Sequence, residues 1–506
     1  MTATESAPLP ADPVIAETTT TPERRLHPLS WLFVLLQQLK QFIVPLLALF
    51  LFKQGDRNEL WPLIGVGALA LVSVWRYFTY RYHIDADRLG IRSGVLHRSL
   101  RVIPFARIHN VAVHQSLLHR MFGVAEVRLE SAGGQKPEAQ MRVLSLADAL
   151  ALEALVRRSA DAATTAVGAP TDDDTLLRLP PMEVLRLGLV SNRGLIVLGG
   201  AFAAASQMNP RLLPNLFEQW GKGLFGWVGQ HHFAASQYAL AALSFVLAFV
   251  LLLRLFSIAL ALLQYYGFRL DRHGRRLTVE RGLLTRLRTS TSTRRIQAWT
   301  LREGLLHRLL KRRSLGIDSA VAEQHDQQQR TLRELAPIAT PERCDGLVRE
   351  LLPRASWPPA SWQALHRHAW LRLCLPGVLL AVMATIGLCW RFGSWGLLAL
   401  LWLPWSLFSA WQQARRSGYA LDDELVAVRG GWWSRHWRFA ELDKLQALQL
   451  TQSPFDRRYG MATLWLDTAG AGALSPPLRI RYIAEHDARA LFEQLGTEVA
   501  RRRLRW

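Results

Sequence analysis

Basic side chains recur at fixed distances along this chain, and the chemistry they share is the recognition of phosphate. Arg98, Arg286 and Arg435 each stand four residues after a glycine, at Gly94, Gly282 and Gly431. Arg107, Arg295 and Lys444 form a second matched set, and Arg120, Arg308 and Arg457 a third. Guanidinium groups pair well with phosphate, and each basic residue near an anionic leaflet is worth about 1 kcal/mol. The first two sets are therefore candidates for binding anionic headgroups or a partner. The competing reading is that they brace turns or pair with Asp85, Asp422 or Glu441, and for these sets the two readings stand level. Arg120, Arg308 and Arg457 lie in a turn signature that every copy needs in order to fold. Their expected role, like that of the three glycines, is structural.

A second candidate lies inside apolar segments. Lys40 is twelve residues after Pro28, and Arg193 is twelve after Pro181. Helical rise places both about 13 Å into a span. No Asp or Glu lies in any apolar segment to pair with them. Intramembrane charges are costly and tend to face a bundle interior or a wet cavity, so an unpaired cationic pair could hold a lipid phosphate. Snorkelling is the alternative, and it suffices for Arg254 near a span end. His109, His114 and His119 are spaced by five but do not recur as a set, so they read as ordinary strand and turn histidines. Cys344, Cys374 and Cys389 show no CxxC or CxxH spacing, so neither a disulfide framework nor a metal site is implied. No nucleophile elbow, phosphate loop, HExxH or dinucleotide fingerprint occurs. No catalytic residue, cofactor or metal is expected, and an enzyme is disfavoured.

The elements that position these residues come from a repeat. Gly94–Ala132, Gly282–Ala320 and Gly431–Ala469 align without a gap, so one module is used three times. Each copy follows apolar segments: Trp31–Phe52 and Leu60–Trp75, Val184–Ser206 and Gln237–Leu263, Trp370–Trp390 and Trp395–Trp411. Each is long enough, or nearly so, to cross about 30 Å of hydrocarbon as a helix. The formal net charge is +21, which suits an anionic membrane surface or nucleic acid. The Arg-crowded stretches after each pair, against sparse basic residues in the intervening loops, already explain that excess by the positive-inside rule. Nucleic acid is therefore disfavoured, and both termini and all three modules are expected in the cytoplasm.

Within each copy, short alternating strands are punctuated by the glycine reversal and followed by an amphipathic helix, at Leu146–Arg158, Pro341–Leu352 and Glu485–Arg503. The expected organisation is a disordered tail (1–27), hairpin one (28–75), domain one (76–162), a linker (163–179), hairpin two (180–263), domain two (264–352), a linker (353–369), hairpin three (370–411) and domain three (412–506).

Arg25-Leu-His-Pro-Leu-Ser30 before the first apolar segment, and the signatures beginning at Ser116 and Ser453, resemble the YdbT-like family of bacterial membrane proteins with repeated pleckstrin-homology-like domains. The resemblance covers almost all of the chain after Arg25. It implies a multi-pass α+β membrane protein of the inner membrane, with six transmembrane helices in three hairpins. Each hairpin precedes a small PH-like barrel or sheet with a C-terminal helix. It supplies no enzymatic activity. The expected function is a membrane-tethered binding or assembly scaffold in envelope maintenance or stress resistance. Lipid headgroups and a membrane-protein partner, such as a smaller protein with a single PH-like domain, are the expected contacts. The alternative is a lipid or amphiphile translocator using the helices. Copy two departs from the pattern, with Lys311 where the others have Gly123 and Gly460. That leaves its turn geometry open and points to a different partner.

Overall fold

A computed structural model describes residues 24–36 and 67–80 in part, 81–161 apart from 86, 95–97, 106–107 and 132–138, then 175–208, parts of 209–234, 235–319, 332–468 and 477–501. Two compact units divide the chain: residues 1–108, 122–127 and 139–166 form the first, and the remainder the second.

Copy one contributes β1 (Arg24–Arg25), β2 (Arg81–Ile84), β3 (Arg88–Ser93), β4 (Ser99–Pro104), β5 (Ile108–Gln115), α1 (Leu117–Met121), β6 (Val124–Ser131), β7 (Ala139–Ser145) and α2 (Leu146–Asp161). Strands β1 to β4 form an antiparallel sheet in sequence order. Leu89, Ile91 and Ile103 are buried on it, as alternating strands require. Ala149, Leu152 and Val156 give α2 its buried stripe, at the spacing of one helix face.

Copy two is preceded by β8 (Thr175–Arg178), α3 (Pro181–Val190), α4 (Arg193–Met208) and α5 (Ala235–Tyr265). It then runs through β9 (Arg269–His273), β10 (Arg276–Arg281), β11 (Arg286–Ser292), β12 (Ile296–Glu303), α6 (Leu305–Leu309), β13 (Arg313–Ser319), β14 (Glu334–Ala339) and α7 (Pro341–Leu351). Thr340 caps α7 by accepting the Arg343 N–H at 3.3 Å, with Pro341 in the first turn, and Cys344, Leu347, Val348 and Leu351 are its buried face. Copy three is preceded by β15 (Gln363–Ala364), α8 (Ala369–Phe392), a 3-10 stretch and α9 (Trp402–Arg416). It comprises β16 (Gly418–Leu421), β17 (Leu425–Gly430), β18 (Arg435–Glu441), β19 (Leu445–Thr451), α10 (Pro454–Arg458), β20 (Met461–Thr468), β21 (Leu478–Ala484) and α11 (Glu485–Arg501).

Three strands fall where the sequence suggested tail or linker. Arg24 pairs with Tyr82, Thr175 with Asp271, and Gln363 with Tyr419, each antiparallel. The correction has a common cause. Each copy takes one strand from before its apolar segment and sets it beside the first strand after that segment. A two- or four-residue strand has no periodicity of its own to read.

The modules are also not closed individually. In the second unit, β5 of copy one pairs with β11 of copy two, and β12 of copy two with β18 of copy three. The register is the same in both joints. The residue twenty-one positions after one copy's glycine faces the residue four positions after the next copy's glycine, giving Gln115↔Arg286 and Glu303↔Arg435. The first strands of copies two and three therefore complete the sheet begun by the last strands of the copy before.

The glycine reversals hold as expected. Gly94, Gly282 and Gly431 have φ of 98°, 112° and 86°, and a Cβ on Gly282 would lie 1.9 Å from the Thr285 carbonyl oxygen. The open question at Lys311 is resolved in favour of a conserved shape. Lys311 takes φ 52°, close to the 64° of Gly123 and Gly460.

Among the described residues two to three segments are long and apolar enough to span a membrane. Ala239–Tyr265 has mean hydropathy 2.7, and Ala369–Arg416 has 2.1. In the latter, α8 packs against the 3-10 stretch and α9, and Gly377 leaves room for Ser406. The third candidate is α3 and α4 taken together, bent by 54° at Ser191-Asn192. The first pair of apolar segments falls very largely outside the described residues.

A cationic cavity where a span meets the second module

The bend between α3 and α4 is held by α5. Arg254 donates to the carbonyls of Leu189 at 2.9 Å and Ser191 at 3.3 Å, and the Ser257 hydroxyl donates to Ser191 at 2.8 Å. These are carbonyls that a helix end leaves without intrahelical partners. Gly188 permits the close crossing, since a Cβ there would lie 2.4 Å from Ile258 Cα.

Arg193 opens α4 at this bend and turns toward the second module. It donates to the Tyr265 hydroxyl at 2.5 Å, to Glu334 Oε1 at 2.9 Å and to Gln264. The Tyr265 hydroxyl donates to Glu334 Oε2, and Arg281 stands 3.7 Å from the same oxygen. Both guanidiniums lie over the Tyr265 ring, at 4.8 and 4.9 Å from its centroid. Glu334 belongs to β14 and Arg281 to β10, so the cluster ties the end of a candidate span to the sheet.

This corrects the reading of Arg193 as an unpaired intramembrane cation. The count of depth from Pro181 assumed one straight helix. The chain instead bends just before Arg193, and a carboxylate from the module reaches it. Glu334, Tyr265 and Arg281 were missed as a site because the partners are far apart in sequence. The one visible signal was the Gln264-Tyr265 pair at a span end. Lys40 lies outside the described residues.

Beside the cluster is a cavity of about 730 Å³, lined by Arg193, Arg254, Arg302, Arg333, His307 and Trp433 among others. Glu334 and Asp318 are its carboxylates, and Asp318 is engaged by Arg438 at 2.6 Å. Arg302 has no carboxylate partner among the described residues. His307 is held below the ordinary imidazole range by burial, against an opposing pull from Glu303, so it is neutral at neutral pH. The lining is rich in guanidinium groups and has a partly apolar wall.

The other candidates scatter. Arg98 and Arg286 are exposed at the starts of their strands. Arg435 stands 3.8 Å from Glu303 and borders a second groove with Arg308, Lys311 and Arg313. Lys444 is not at a surface: it is 5% exposed, and its ammonium donates to the Arg294 carbonyl at 2.6 Å. Arg295 is half-buried and pushed down to about 10 by burial and by Arg276. Burial of Lys444 removes it from the headgroup reading, whereas Arg295 sits on a 3-10 turn with no buried residue. Arg107 lies outside the described residues. Arg120 braces a turn, donating to the Leu283 carbonyl of the next copy at 2.9 Å. Arg457 is exposed. In the copy-two run, Arg312 grips Glu183 of α3 at 2.7 and 2.8 Å, and Arg313 pairs with Glu303 and Asp345. That run is the device by which copy two holds the bent helix.

Three sheet-rich modules of one kind, the second and third preceded by candidate membrane-spanning helices, make this a membrane protein built from PH-like units. The chain belongs to the bacterial PH domain family, matched at residues 33–160, 224–351 and 371–499. Each match begins within or before an apolar segment, so the matched stretches take in apolar sequence as well as sheet. Among curated relatives, the chain is 23% identical over 500 residues to the UPF0699 transmembrane protein YdbT of Bacillus subtilis (strain 168), covering 94% of this chain and 99% of the relative. No solved structure matches.

Proposed function

We infer that this is a non-enzymatic scaffold of the bacterial inner membrane, with six spans in three hairpins and its three modules in the cytoplasm. The modules hold anionic lipid headgroups at the cavity beside Arg193, Arg254 and Arg302. The observation that carries the reading is that cavity, cationic and placed where α4 and α5 enter the sheet. The hairpin arrangement is supported by the strands flanking the apolar segments. In copies two and three the strands before and after the segment are antiparallel neighbours in one sheet, so both ends of the segment leave from one place. An even number of crossings satisfies that constraint. Tethering keeps each module at the bilayer, where even weak headgroup binding gains from effective concentration.

The test uses the full-length protein in detergent, with phosphatidylglycerol or phosphatidylcholine added and retained lipid read by native mass spectrometry. Phosphatidylglycerol is retained preferentially, and Arg302→Glu lowers its retention by about fivefold or more, the equivalent of 1 kcal/mol for each basic group lost. Equal retention of the two lipids would sink the reading. The translocator alternative rested on Lys40 and Arg193 as unpaired cations, and the ion pair to Glu334 removes the support from Arg193.

A further inference from the structure

Among the described residues, two strand edges lack the neighbour that their counterparts have. In the matched series β5, β12 and β19, the first two pair with the next copy, whereas β19 ends its sheet. In the series β4, β11 and β18, the last two pair with the preceding copy, whereas β4 ends its sheet. Exposure follows the same division. Trp299 and Leu301 are buried on β12, and their matches Leu448 and Leu450 on β19 are only half-buried. Phe439 on β18 is fully buried, but on β4 Val102 is 48% exposed and Leu100 is 67% exposed.

We propose that the β19 edge of one chain docks the β4 edge of a second copy of this chain, repeating the joint already used twice within it. The shared register specifies the contact: Leu448 faces Val102, Gln449 faces Arg101, and Leu450 faces Leu100. Both apolar pairs then cover side chains that are otherwise exposed. A charge pair is complementary as well. In the joint between copies two and three, Arg438 donates to Thr300 Oγ1 at 2.9 Å and pairs with Asp318 at 2.6 Å. Arg101 occupies the position of Arg438, Asp467 that of Asp318 and Gln449 that of Thr300. Asp467 is exposed on β20, opposite Ala447 as Asp318 is opposite Ala298. The edges are complementary but not identical, so the contact is heterologous and propagates head to tail into a ring or filament. The occupant is another copy because the two halves of this joint, apolar and charged, are both written in this sequence. The proposal rests on strand order and register and is independent of the lipid reading.

The test is co-expression of two full-length, differently tagged chains, one with Leu100→Cys and the other with Leu450→Cys, followed by mild oxidation of the membranes. Directly opposed strand residues lie within disulfide reach. A disulfide-linked species carrying both tags is expected, well above either variant alone, which controls for Cys389. Adding Asp467→Arg to the Leu450→Cys chain lowers its yield about tenfold, and Arg101→Asp in the other chain restores it to within about twofold, since reversing both charges restores a pair that reversing one repels. The proposal is overturned if no two-tag species forms, or if cross-linking occurs only when both cysteines are in one chain, which is closure within a molecule. It is equally overturned if Leu450→Cys captures a different, smaller polypeptide instead, or if Asp467→Arg has no effect.

Discussion

Where β12 of copy two meets β18 of copy three, Trp299 faces Phe439 and Leu301 faces Trp437; where β5 of copy one meets β11 of copy two, Val111 faces Ser290 and Val113 faces Arg288. The first joint is aromatic, with Trp357 stacked on Phe439 at 4.2 Å and the Arg438–Asp318 pair buried beneath it. The second has Thr289 opposite Ala112 at the position of that ion pair. Yet the backbone register is identical. Register is therefore set by what the copies share, the glycine reversal and the length of strand that follows it, and side chains set how strongly each joint holds. A joint of fixed geometry can be strengthened or weakened by substitution without being re-aimed.

The largest difference is expected from the aromatic stack. Phe439→Ala leaves a cavity between Trp299 and Trp357 and costs about 3–5 kcal/mol. The matched change in the other joint, Ser290→Ala, is neutral or slightly stabilising, because the buried Ser290 hydroxyl has no hydrogen-bond partner among the described residues. Thermal unfolding of the purified full-length protein, followed by tryptophan fluorescence, checks both. Equal effects at the two positions would show that the joints are alike in strength and that the aromatic stack adds nothing.

Next in size is the ion pair. Arg438 has 4% of its side chain exposed and Asp318 has 17%. Arg438→Met removes one partner of a largely buried pair and costs on the order of 3 kcal/mol, whereas Arg438→Met with Asp318→Leu recovers most of that loss, since the uncompensated charge goes with it. A double variant no more stable than the single one would mean that the pair is worth its full attraction and that burial costs it little.

The same contrast shows how far sequence reading reached. The three copies, their closing helices and the glycine turns were legible, because each has a local signal: a gap-free repeat, a 3.6-residue stripe, or a glycine with positive φ. Sharing of sheets between copies was not, because a strand paired within its copy and one paired across copies alternate in the same way. Lys311 is a sharper case. Its type argued against the turn of Gly123 and Gly460, yet it adopts that turn, held by Arg312 on Glu183 and Arg313 on Asp345 and Glu303. At the candidate site, the basic character of the surface was readable, but Arg193 was misplaced because nothing in an apolar run announces a 54° bend. Its partner Glu334 is 141 residues away.

The smallest expected effect concerns acidity at the joint between copies two and three. His436 of β18 faces Arg302 of β12, and the matching residue of the other joint is Leu287. Desolvation of its ring holds His436 below the ordinary imidazole value of 6.5; the Ser434 backbone opposes this, and Arg481, Arg302 and Arg438 add to it. The folded joint therefore prefers the neutral ring. The associated stability is present above about pH 6.5, where the unfolded chain is also neutral, and it declines as pH falls through that value because the unfolded chain takes up the proton more readily. Cleavage by a protease between the second and third modules should rise as pH drops from 7.5 to about 5.5. His436→Leu, which installs the residue type of the other joint, should flatten that dependence while leaving Ser290→Ala without influence on it. A pH response that survives His436→Leu would move its origin to other titrating groups, among them His114 opposite Leu287 in the other joint.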